Sequence, residues 1–187
     1  MNAGDVFRRL TSALERADIA YMLSGSFASA FYGATRSTQD IDLVIEADPT
    51  KLEALTRQLP PEEYYVDLNA ALEAHKQRSL FNIIDLSTGW KIDLIVRKAR
   101  PFSEEEFRRR RRAAVDGVPV FIASAEDVVL SKLEWSKLSQ SQRQLEDVVA
   151  ILRSRWGSLD QAYLKDWIAN LDIEAEWNSV RKKAEVP

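Results

Sequence analysis

The stretch RSTQDIDLVIEAD, Arg36 to Asp48, sets two aspartates one residue apart at the head of a run that otherwise reads as a buried strand. In a strand, alternate side chains project to opposite faces, so Ile41, Leu43 and Ile45 fall on one side and Asp40, Asp42 and Val44 on the other. Two ionised carboxylates that close repel each other unless a cation lies between them or one takes up a proton. Oxygen-only ligation suits Mg²⁺ or Mn²⁺ better than zinc. The spacing alone is weak, because fourteen aspartates in 187 residues make about one such pair expected by chance. The plain alternative is that Asp40 caps a turn and Asp42 lies on a solvated strand edge.

Upstream, the apolar residues Val6, Phe7, Leu10, Ala13 and Leu14 recur at helical spacing between Asp5 and Ala17. A short strand, Ile19 to Ser24, then meets Gly25-Ser26, and FASAFYG reads as a short buried helix ending at Gly33. A strand running through Gly-Ser into a helix offers backbone N–H groups and a hydroxyl to a phosphate, and a plain helix cap is the other reading.

Downstream, Asp48-Pro49 opens a helix as cap and first-turn proline, and Pro60-Pro61 close it. FNIIDL-STGW-KIDLIV, Phe81 to Val96, reads as a hairpin turning at Gly89. Its second arm sets Ile92, Leu94 and Val96 on one face, while Asp93 shares the other with Lys91 and Ile95. A third acidic residue on a second strand is what a site for two cations about 4 Å apart needs. Asp85 is a rival, expected to stay hydrated beside the turn.

Ser103 and Glu106 form a capping-box signature for a helix carrying FRRRRRAA, Phe107 to Ala114, with Gly117 as its end. Glu104, Glu105 and Glu106 stand four residues before Arg108, Arg109 and Arg110, the favourable order for helix pairs. The run therefore reads as a self-paired, solvated helix, with Arg111 and Arg112 left for the helix end or a polyanion. VPVFIA returns as a strand. After Ser124, with Asp127 as its capping partner, the pattern is helical with a break at Gly157-Ser158, and Trp135, Trp156, Trp167 and Trp177 read as core packing. The whole is α+β: a mixed sheet with flanking helices over 1–122 and a helical segment over 123–187.

With 45% hydrophobic and 29% charged residues and a formal charge of −3, the chain has the composition of a soluble domain and argues against an obligate nucleic-acid coat. Zero cysteines exclude disulfides, thiolate metal sites and cysteine nucleophiles. No apolar run approaches the ~18 residues needed to cross a bilayer, and the start lacks a signal-peptide core, so a cytoplasmic protein is expected.

Together, LSGSFASAFYGATRSTQDIDLVI, Leu23 to Ile45, and KIDLIV from Lys91 resemble the nucleotidyltransferase superfamily typified by DNA polymerase β. The finer form Y-G-x-x-R-x-T-x-D-I-D looks like its AbiEii-type branch, which includes toxins of toxin-antitoxin pairs. That branch carries D-x-x-x-x-K-L and then R-x-x-x-D-x-x-x-L, which here read as Asp127 to Leu133 and Arg143 to Ile151-Leu152. Many relatives have two glycines where this chain has Gly25-Ser26, which weakens inference about the acceptor.

The resemblance implies a fold and a reaction. Asp40, Asp42 and Asp93 would hold Mg²⁺ (or Mn²⁺) and catalyse transfer of NMP from an NTP to an acceptor, with release of pyrophosphate. Gly25 and Ser26 would contact the terminal phosphates. Lys132 would meet phosphate or ribose, while Asp147 would join the nucleotide site or pair with Lys132 or Arg143. Arg36 would steady the aspartates or touch substrate. The resemblance makes tRNA a candidate acceptor and an antitoxin a candidate partner. An inactive binding member of the fold and a small-molecule adenylyltransferase are the alternatives.

Overall fold

The structure, a computed structural model, describes residues 3–35, 38 and 40–187. By internal contacts the chain divides into two units, Met1–Ser24 with Thr38–Ile122, and Gly25–Ser37 with Ala123–Pro187. The sequence draws a single boundary near residue 123. In the structure the helix that begins at Gly25 groups with the C-terminal helices, so Gly25 and Ser26 belong to the second unit.

The first unit is built on strands β1 (Ala20–Leu23), β2 (Asp40–Glu46), β3 (Tyr64–Val66), β4 (Leu80–Asp85), β5 (Lys91–Val96), β6 (Arg111–Val115) and β7 (Val118–Ile122). Among the described residues they form one mixed sheet in the order β3-β4-β5-β2-β1-β7-β6. The β2–β5 and β1–β7 pairs are parallel and the other neighbours antiparallel. Its helices are α1 (Ala3–Arg16), α3 (Pro49–Arg57), α4 (Leu68–Gln77) and α5 (Pro101–Arg108), while α2 (Gly25–Phe31) belongs to the second unit.

The core follows from the two periodicities. Ile41, Leu43 and Ile45 of β2, with Ile92, Leu94 and Val96 of β5, are at most 1% exposed. Val6, Phe7, Leu10, Ala13 and Leu14 of α1 are buried as well, and α1 packs on β1, β7 and α3. Full burial of each large apolar side chain stabilises the fold by roughly 1.5–3 kcal/mol. Asp48 caps α3 as expected, its carboxylate accepting from the Lys51 N–H at 2.9 Å, with Pro49 in the first turn.

The arginine run does not form the expected helix. α5 starts at Pro101, two residues before Ser103, and ends at Arg108. Ser103 is no cap: its hydroxyl accepts from Arg100 Nε at 3.1 Å, and Glu106 is buried. Glu105 pairs with Arg108 at 2.6 Å, three residues on, and Glu104 reaches Arg97 at 3.6 Å. Arg111 and Arg112 lie on the edge strand β6. The cause is Asp116-Gly117, with φ of 49° and 75°, a two-residue turn that folds RRAAV back along VPVFI and overrides its alanine-rich helical preference. Arg112 lies 5.3 Å over the Phe121 ring, and Arg110 lies 4.1 Å over Phe107.

Asp85 is not hydrated but 1% exposed. It faces the core side of the sheet with Phe81 and Ile83, binds Arg9 of α1, and accepts from Ser87 N at 3.0 Å, Ser87 Oγ at 2.6 Å and Thr88 N at 3.2 Å. Arg9 Nε also donates to Tyr64 Oη at 2.9 Å. Burial pushes this carboxyl up, but the hydrogen bonds of Ser87 and Thr88, with the charge and hydrogen bond of Arg9, outweigh it and hold Asp85 below the ordinary 3.8. A depressed carboxyl contributes stability that is present above its unfolded value and lost as pH falls through its folded value. Wild type is therefore expected to lose this contribution progressively below about pH 4. Asp85→Asn should melt lower at pH 7 and show a shallower decline under acid; melting curves across that range check it.

The second unit contains α2 (Gly25–Phe31), α6 (Ala125–Ser139), α7 (Gln142–Arg155), α8 (Gln161–Asn170) and α9 (Glu174–Ala184), with a 3-10 turn at Trp156–Ser158 where the break is expected. Ser124 caps α6, accepting from Asp127 N at 3.1 Å and donating to Asp127 Oδ2 at 2.6 Å. Tyr163 of α8 donates to the other Asp127 oxygen at 2.6 Å, so the capping carboxylate also ties two helices together. Tyr32 Oη donates to the Ala123 carbonyl at 2.7 Å. Gly33, with φ of 121°, lies so close to α7 that a Cβ there would stand 2.7 Å from Ser154 Cβ. Trp156 and Trp177 stack at 6.1 Å, but Trp135 is 56% exposed and not part of the core. Among the described residues no helix is long and apolar enough to cross a membrane.

Candidate active site

β2 and β5 run parallel, so residues in register stand side by side and point to the same face, about 4.8 Å apart at the backbone. The register pairs Asp42 with Asp93 and Asp40 with Lys91. All four side chains lie on the face away from Ile41, Leu43, Ile92 and Leu94. Asp42 and Asp93 are half-buried and Asp40 exposed. The apolar residues that interleave with them are what hold them there: sliding either strand by one residue would bury the carboxylates and expose the isoleucines.

Two neighbours not identified as contacts from the sequence complete the arrangement. Asn82 of β4, in register with Asp93, donates its side-chain amide to Asp93 Oδ1. Lys91 Nζ sits 3.0 Å from Asp93 Oδ1 and 3.1 Å from Oδ2. That hydrogen bond first, then the charges of Asp93, Asp40 and Asp42, hold the Lys91 ammonium above its ordinary value against the cost of burial. The shared face of Lys91 and Asp93 is legible in KIDLIV, but Asn82 needs the hairpin register, which the sequence pattern leaves open.

Among the described residues, no group of three or more His, Cys, Asp or Glu side chains converges closely enough to hold a metal ion. The donor chemistry nevertheless fits a hard cation, with carboxylate oxygens from two adjacent strands and no nitrogen or sulfur ligand. A positively charged group already lies against the Asp93 carboxylate in Lys91.

The other expected residues fall in the second unit or outside the description. Gly25, with φ of 59°, and Ser26, buried, form the first turn of the seven-residue α2. Lys132 and Asp147 are brought together: Nζ to Oδ2 is 2.7 Å, with both side chains about 5% exposed, and Gln144 Oε1 accepts from the same ammonium at 2.8 Å. This buried pair joins α6 to α7. Of the partners the sequence offers Asp147, Lys132 is therefore one it takes. Arg36 lies outside the described residues.

No family model matches the sequence, and a search of curated proteins found no match. Solved structures do match in fold. ANT(2")-Ia in complex with adenylyl-2"-tobramycin superposes with a TM-score of 0.60 at 14% identity, over 90% of this chain and 95% of that one. The lincosamide antibiotic adenylyltransferase LnuA, lincomycin-bound, gives 0.55 at 12% identity over 81% and 96%. An antigenic nucleotidyltransferase-like protein from Paracoccidioides brasiliensis gives 0.52 at 18% over 94% and 91%. The chain thus has the fold of the nucleotidyltransferases, as the resemblance implies; at these identities the likeness speaks to fold alone.

Proposed function

We propose that the chain is a metal-dependent nucleotidyltransferase that moves NMP from an NTP to an acceptor hydroxyl. The observation that carries the reading is the in-register placement of Asp42 beside Asp93 on parallel strands, with Asp40 on the same face. The acceptor oxygen attacks the α-phosphorus, the bond from that phosphorus to the bridging oxygen breaks, and pyrophosphate leaves with the electron pair. Asp93, oriented by Asn82, takes the acceptor proton. Asp40 and Asp42, with Asp93, would hold the cation. Mg²⁺ or Mn²⁺ bound there would neutralise phosphate charge and align the reacting groups. Gly25 and Ser26 are the proposed phosphate contacts. Lys132 and Asp147 enter this reading as the buried pair that joins α6 to α7.

The branch and acceptor are finer parts of the same proposal. The Y-G-x-x-R-x-T-x-D-I-D pattern favours the AbiEii-type branch, a cytoplasmic toxin with tRNA as acceptor and an antitoxin as partner. A second reading, adenylylation of a hydroxylated small molecule, is supported by the whole-length likeness to ANT(2")-Ia and LnuA. One experiment tests both. The protein is incubated with each labelled NTP, Mg²⁺ and, separately, total RNA, protein, tobramycin and lincomycin, and transfer and pyrophosphate release are followed. Label in RNA supports the first acceptor and label in an antibiotic the second. Absence of pyrophosphate release with every NTP and acceptor would leave only a binding protein.

A further inference from the structure

We infer that Lys91 is a tethered counterion that competes with the divalent cation for the Asp93 carboxylate and so sets how tightly the site binds metal. This rests on the reading of Asp40, Asp42 and Asp93 as the cation site. The geometry is specific. Lys91 is the register partner of Asp40 and stands two residues from Asp93 on the same strand face, so its ammonium is delivered into the row of carboxylates by the pleat itself. Its Nζ spans both oxygens of Asp93, at 3.0 and 3.1 Å, occupying the edge of the carboxylate that a cation would use.

The lysine is also built to leave. Its side chain is 46% exposed against 14% for Asp93, so the ammonium can swing into water. An ion pair this exposed is worth little, so a doubly charged ion displaces it readily once nucleotide phosphates arrive. Asn82 stays in place: its amide donates to Asp93 Oδ1 and keeps the carboxylate oriented during the exchange. The device keeps clustered negative charge balanced between turnovers. It also ties metal loading to the arrival of a ligand that brings more charge.

Calorimetric titration of the full chain with MnCl₂ tests this without reference to turnover. Lys91→Met is expected to bind Mn²⁺ about two- to fivefold tighter than wild type, the scale of a part-exposed ion pair. Lys91→Arg, which restores the charge, should return to the wild-type affinity, and melting curves report that each variant is folded. Equal affinity in wild type and Lys91→Met, with Asp42→Asn losing binding, overturns the counterion role and leaves the cation site standing. Weaker binding in Lys91→Met also overturns it, because the lysine would then assist the metal. Absence of Mn²⁺ binding in every variant overturns both the inference and the reading beneath it.

Discussion

Replacing Asp42 with alanine is expected to lower nucleotide transfer about 10³-fold while leaving the melting temperature within a few degrees of wild type, the loss being that seen when one group that stabilises transition-state charge is removed. Phosphoryl and nucleotidyl transfer give a protein little covalent chemistry to perform, so most of the acceleration comes from placing charge and holding the reactants in line. Asp42 occupies the middle of the carboxylate face, between Asp40 on its own strand and Asp93 on the next. Its removal therefore weakens the cation site from the centre. The fold should tolerate the change, because Asp42 faces away from the apolar side carried by Ile41 and Leu43, and relieving clustered negative charge offsets whatever contacts it makes. Asp93→Asn should also slow the chemical step. Asp85→Asn, on the opposite face, should change stability and not kcat. Initial rates with labelled NTP, paired with melting curves, check all three; an Asp42→Ala enzyme retaining more than about a tenth of wild-type activity would remove the carboxylate face from the reaction.

How much of this is legible in the sequence depends on which interaction decides each element. The alternation in DIDLVI and KIDLIV was sufficient to put Asp42 and Asp93 on one kind of face, because burial of isoleucine and leucine dominates a strand's orientation. The side-by-side placement was not readable, since it depends on the parallel pairing of strands far apart in sequence. Asn82 leaves no signal for a related reason. The connection between β4 and β5 spans five residues, Leu86 to Trp90, and is shaped by Asp85, whose carboxylate accepts from Ser87 and Thr88. That turn sets Asn82 opposite Asp93, where a four-residue turn would have set Ile84. The same aspartate reads as hydrated in the sequence because its long-range partner, Arg9, leaves no local signal. In the arginine run, five good helix formers outvoted the Asp-Gly dipeptide, yet the hairpin wins because it adds a paired edge to an existing sheet. For Asp147 the sequence offers the nucleotide site, Lys132 or Arg143, and only the packing of α6 on α7 shows the Lys132 pair formed.

That pair carries the second large effect. Lys132→Met or Asp147→Leu alone is expected to destabilise the chain by about 3–5 kcal/mol, because each breaks a buried, hydrogen-bonded ion pair by removing one of its members. The double variant Lys132→Met with Asp147→Leu should recover part of the loss, since two apolar side chains remove both desolvation costs together, less what the larger leucine costs in a packed site. Gln144 makes the two single losses unequal. In Lys132→Met its Oε1 and Asp147 both lose a donor, whereas in Asp147→Leu the ammonium keeps the Gln144 contact at 2.8 Å, so the lysine change should cost more. Urea unfolding of wild type, the two singles and the double gives the coupling directly. A coupling near zero would mean the ion pair does not join α6 and α7 energetically. The same four proteins also divide structure from chemistry. If the pair serves only as a buried strut, the double variant regains NTP affinity along with stability. If the lysine reaches nucleotide as the sequence pattern implies, the double variant folds like wild type and still binds NTP weakly.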